Sequence, residues 1–168
     1  AFGHTLVSRQ SVPGLVLQAD PDADGIHARV TVAEGRHIVQ PVHLCFGLFE
    51  RFGVQNVDLE VVIEANAQAT FWSHCLFTVP ERARHAMTAR VTLRPGAHLT
   101  YNEVHYHGMY GGIEVVPRAK VEVGNGATYR ADFSLVQGRV GRLDIDYEVV
   151  VGRDATAELT SKVYGRVT

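Results

Sequence analysis

The chain has 168 residues, 46% of them hydrophobic and 20% charged, enough apolar material for one domain with a real core. With 16 basic and 18 acidic side chains its formal net charge is -2, which gives no electrostatic footprint for nucleic acid or an anionic membrane surface. No apolar run approaches the roughly 20 residues of a membrane span, and 2 cysteines are too few for a disulfide scaffold and suit a reducing cytoplasm.

Valine outnumbers the other branched residues, with 25 Val against 12 Leu and 5 Ile. β-Branched side chains lose rotamer freedom in a helix and fit a pleated surface, so the excess predicts strands. In chain order, residues 20–24 form an acidic, solvated turn. Residues 27–32 alternate as a strand. In 56–63, Val57, Leu59, Val61 and Ile63 share one parity. Residues 79–89 are the one segment that reads as a short helix, with Pro80 in a first turn before Glu81, Arg82, Ala83 and Arg84. The glycine-rich stretch 108–112 reads as a hairpin loop. Further strands follow at 118–123, with Ala119, Val121 and Val123 on one parity, and at 143–151, with Leu143, Ile145, Tyr147, Val149 and Val151. Alternation of this kind sends one side of each strand into a core. The chain opens on Ala1, without a basic segment and apolar stretch behind it. The expectation is no signal peptide and a start inside a longer protein.

The strands repeat. Turn residues fall at Gly35, Asn66, Gly96, Gly126 and Asp154, spaced by 31, 30, 30 and 28. A small residue follows most of them: Ala67, Ala97, Ala127 and Ala155. Gly, Asn and Asp are the residues that tolerate positive φ, so each position has a mechanism for a tight turn. Five copies at a near-constant period predict stacked units, each burying its apolar face against its neighbours. The expected fold is all-β: a parallel β-helix, or flattened β-solenoid, with coils of about 30 residues over a single domain spanning 1–168.

The histidines and cysteines fall into this register. Counted from the turn residue, His43 and Cys45 lie at offsets 8 and 10, His74 and Cys75 at 8 and 9, and His105 and His107 at 9 and 11. Neighbouring coils stack about 4.8 Å apart, so these groups predict a ladder of imidazole and thiol. The densest piece places Glu103, His105 and His107 on one strand face. Mixed nitrogen and sulfur donors suit zinc, iron or an iron–sulfur cluster rather than magnesium or calcium. The candidate metal ligands are therefore Glu103, His105, His107, Cys45, Cys75, His43 and His74, with no catalytic residue assigned. A metal-dependent enzyme using Glu103, His105 and His107 is an alternative reading. The His-x-His of 105–107 resembles a cupin pattern, but Glu114 comes too late for it. No nucleophile elbow, phosphate loop or zinc-finger cysteine spacing is present.

The segments 41–47, His74-Cys75, His85-Ala86-Met87 and 101–108, with its Glu-Val-His-Tyr-His-Gly, resemble the SufB/SufD family, and most of all its short archaeal and bacterial members. The resemblance runs from about Val39 to Gly165. It implies a right-handed parallel β-helix and a role in the SUF machinery, which assembles iron–sulfur clusters in the cytoplasm. It implies partnership with a SufC-type ATPase and with a second SufB/SufD-type subunit, self or paralogue. ATP hydrolysis would belong to the ATPase, so the chain itself is expected to be a scaffold or accessory protein and not an enzyme. The family pattern continues beyond Gly165 into further coils and a helical tail that binds the ATPase. The cluster-associated cysteines of SufB-type proteins lie in that later part and do not transfer to Cys45 or Cys75. A structural dimerisation module is a further alternative, because open solenoid ends expose strand edges.

Overall fold

The structure, a computed structural model, describes residues 1–8 and 10–164. Among these residues the chain forms strands and turns and no helix, so none is long and apolar enough to cross a membrane. The strands are β1 (Leu15–Pro21), β2 (Ile26–Val32), β3 (Val42–Gly47), β4 (Phe52–Ile63), β5 (Gln68–Phe77) and β6 (Arg82–Leu93). They continue with β7 (His98–His107), β8 (Ile113–Val123), β9 (Thr128–Gln137), β10 (Arg142–Leu143), β11 (Asp146–Val151) and β12 (Thr156–Val163). One sheet has the order β1-β2-β4-β6-β8-β10, with β11 also on β8; the other has the order β12-β9-β7-β5-β3. Every pairing between these strands is parallel except β1 with β2. The chain thus crosses from one sheet to the other about once every half coil, building the stacked coils that the sequence period predicts.

The turn between the sheets explains that period. Gly35, Asn66, Gly96, Gly126 and Asp154 all have φ between 54° and 69°, the left-handed region that Gly, Asn and Asp reach at least cost. The first four turns close on themselves, as in Ala67 N to Glu64 O at 3.0 Å, and stack on the next, as in Gly96 N to Asn125 O at 3.0 Å. The small residue after the turn then enters the core: Ala67, Ala97 and Ala127 are almost wholly buried. Between the sheets lie Val57, Leu59, Val61 and Ile63 of β4 and Val115, Val121 and Val123 of β8. Phe71 and Phe77 of β5 and Leu99 of β7 face them. Burial of such apolar surface, at about 25 cal/mol per Å², is what holds parallel coils together.

Residues 79–89 correct the sequence reading. The segment from Arg82 is strand β6, with Ala83, His85 and Met87 buried and Arg82 and Arg84 exposed. Its helix-forming residues are overridden by pairing along both edges, with β4 and β8. At one end β1 folds back antiparallel on β2. At the other, the core-side Val151, Leu159 and Val163 of β11 and β12 remain 45–47% exposed.

Candidate metal centre

Period-2 alternation builds the site. In β5, Phe71, Ser73, Cys75 and Phe77 point inward; in β7, Tyr101, Glu103, His105 and His107 do the same. The parallel register sets Ser73 beside Glu103, Cys75 beside His105 and Phe77 beside His107. Cys75, Glu103 and His105 consequently offer a sulfur, a carboxylate oxygen and an imidazole nitrogen, all within 4.8 Å of one another. All three residues are buried, with Cys75 and His105 wholly so.

A hydrogen-bond chain fixes the protons. His107 Nδ1 lies 3.2 Å from the Arg139 carbonyl, which can only accept, so His107 donates there. Its Nε2 is then an acceptor, 3.3 Å from His105 Nδ1. His105 donates at Nδ1 and, when charged, also donates from Nε2 to Glu103 Oε1 at 2.8 Å. Burial alone disfavours a charged His105, but the neighbouring Cys75 sulfur and Glu103 carboxylate outweigh it and raise its pKa to about 10. His107 moves the other way. Burial, and then the charge on His105, lower it to about 4, which matches its role as a neutral acceptor.

Glu103 also borders a cavity of about 210 Å³ walled by Tyr101, Tyr129, Phe133, Tyr147 and Leu159. Tyr147 donates its hydroxyl to Glu103 Oε2 at 3.4 Å. Burial, followed by the Glu103 charge, raises the pKa of all three tyrosines, so their hydroxyls stay protonated donors. The Tyr101 hydroxyl has no protein partner.

Across the core, β6 contributes His85, fully buried, which is not among the ligands expected from the sequence. Gln55 of β4 orients it. The Gln55 amide nitrogen donates to the carbonyls of Gly3 and Gly47 at 2.6 and 3.2 Å, leaving its oxygen to accept from His85 Nδ1 at 3.0 Å. The His85 proton is therefore on Nδ1, and the lone pair on Nε2 is buried without a partner. Burial, then His105 and His107, push its pKa down to about 3. The signal that could have found it is its place between Ala83 and Met87 on one strand parity.

The other predicted ligands lie elsewhere. Counting from the turn puts His43 and His74 at one position, but the structure pairs His43 with Trp72 and Cys45 with His74. His37 pairs with Gln68 and Val42 with Phe71, so the first coil holds two more residues between these points than the second. The shift preserves parity. His43, Cys45 and His74 face outward, on the opposite side of the sheet from Cys75, Glu103, His105 and His107. The predicted ladder is two clusters separated by one sheet.

The interior donor set fits a transition metal. It offers one sulfur, one imidazole and one carboxylate, with an orphaned imidazole lone pair on the facing sheet. Among known proteins, the chain is 34% identical over 159 residues to an iron–sulfur cluster assembly SufBD family protein of Methanocaldococcus jannaschii, covering 95% of this chain and 50% of that protein. It is 27% identical over 161 residues to another protein so described, from Pyrococcus horikoshii, covering 96% of this chain and 49% of that one. The chain spans about half the length of the curated relatives it matches. No protein-family model matches it.

Proposed function

We propose, for a chain that belongs to the SufB/SufD family, that its buried Cys75, Glu103 and His105 receive iron as cargo during iron–sulfur cluster assembly. The observation that carries this reading is the convergence of the three donors within 4.8 Å inside the solenoid. Two anionic donors, the Cys75 thiolate and the Glu103 carboxylate, would offset the charge of a dication in a poorly solvated interior. His105 Nε2 would give up its proton to become a ligand, because metal and proton compete for that lone pair. Its Nδ1–H would stay on His107, the outer hydrogen bond that orients a ligating imidazole. Tyr147 holds the second Glu103 oxygen in the same way.

One thiolate is fewer than a stable cluster uses, which supports a loading site over a permanent anchor. In this reading the chain is a scaffold or accessory subunit and not itself an enzyme. It works in the cytoplasm with a SufC-type ATPase and pairs through its β-helix with a second SufB/SufD-type subunit.

Anaerobic incubation with ferrous iron and sulfide, alone and after co-expression with a SufC-type ATPase, tests the reading. Visible absorption is expected to develop in the wild type and to be lost in Cys75→Ala, with Cys45→Ser unchanged. A protein that stays colourless under both conditions overturns it.

A further inference from the structure

The outer face of β3 and β5 carries the donors that the core does not use. His43 Nδ1 and His74 Nε2 lie 2.9 Å apart, with rings within 6° of parallel and centroids 5.2 Å apart. Trp72 stacks against His74, at 6.2 Å and 15°. Cys45 is the direct cross-strand neighbour of His74, roughly 4.8 Å away along the sheet, and its side chain is exposed.

We propose that His43, Cys45 and His74 form a second metal site, on the solvent side of this sheet, for one borderline divalent cation such as zinc or iron(II). Imidazole nitrogens bind such ions at about 2.0–2.1 Å, so two nitrogens at the observed separation subtend roughly 90° at a shared ion. A cation would replace the proton that His43 and His74 now share, and a rotation of the Cys45 side chain adds a third donor. Two imidazoles with one thiolate favour zinc, iron(II) or cobalt(II) over magnesium or calcium. Partial burial and the neighbouring His43 lower the pKa of His74, which agrees with a neutral, ligand-ready ring. His74 and Cys75 are consecutive but point to opposite faces of β5, so this site stands apart from the interior cluster and does not depend on it.

Trp72 is the only tryptophan in the chain, and it touches the proposed site. Anaerobic cobalt(II) titration of the full chain, followed by tryptophan fluorescence and sulfur-to-cobalt charge-transfer absorption, tests the proposal. Saturable quenching is expected. His43→Ala, which leaves the Trp72–His74 stack intact, is expected to weaken it at least tenfold, and His74→Ala likewise. Cys45→Ser is expected to remove the charge-transfer band that accompanies the quenching. Cys75→Ala is expected to leave the quenching unchanged. Circular dichroism of each variant confirms the fold. Quenching that never saturates marks adventitious binding only and overturns the proposal. So does quenching that survives both histidine substitutions, or that disappears with Cys75→Ala, which would assign the signal to the interior.

Discussion

His85 links acid to unfolding with a magnitude that the structure sets. Its ordinary pKa near 6.5 applies in the unfolded chain; in the fold, burial and then the nearby His105 and His107 push it down to about 3. A histidine lowered in the fold must shed its proton to fold. The stability it permits is fully present above pH 6.5 and is lost as pH falls from there towards 3. Each unit is worth about 1.4 kcal/mol, so between pH 7 and pH 5 His85 removes about 2 kcal/mol, against a total of roughly 5–15 kcal/mol for a domain. His107, lowered to about 4, acts with the same sign. The informative quantity is therefore a difference between proteins. Urea unfolding of wild type and His85→Phe at both pH values gives it. The variant orphans the Gln55 oxygen and loses about 1–3 kcal/mol at either pH, but its further loss on acidification should be smaller than that of the wild type by about 2 kcal/mol. His85→Gln, which can keep the bond to Gln55, serves if the phenylalanine variant does not fold. Equal acid-induced losses in wild type and variant would refute the assignment of a buried, neutral His85.

Two other outcomes follow from the same reasoning. At Gly126, φ is 66° and a Cβ would meet nothing within 4 Å, so Gly126→Ala isolates backbone strain; it should cost about 1–2 kcal/mol in urea unfolding, and an unchanged midpoint would contradict the left-handed turn. Glu103→Gln removes the buried counter-charge of His105 and should cost about 3–5 kcal/mol. In the same variant the His105 pKa should fall from about 10, as read by imidazole chemical shifts, and an unmoved titration would deny the contact.

Much of this architecture is legible before any coordinates. Positive φ restricts the choice of residue, so five turns announce themselves as Gly, Asn or Asp at a fixed spacing. Inward and outward parity survives too, because a period of two is preserved when a coil gains two residues. Register is what the sequence conceals. The two extra residues between His37 and Val42 shift Cys45 from Leu76 to His74, and no turn residue marks them. Composition misleads around 82–93, where Arg, Ala and Met favour a helix locally while the ladders to β4 and β8 impose a strand. His85 is overlooked for the same reason: only as a strand residue does it share a face with Met87 and reach the core.

The most direct test of the central claim is iron K-edge X-ray absorption on the iron-loaded chain, comparing wild type with Cys75→Ala and His105→Ala. Cys75, Glu103 and His105 as the receiving donors predict a mixed sulfur, nitrogen and oxygen shell. The sulfur contribution should drop in Cys75→Ala and the imidazole contribution in His105→Ala. An iron environment identical in all three proteins would contradict the claim.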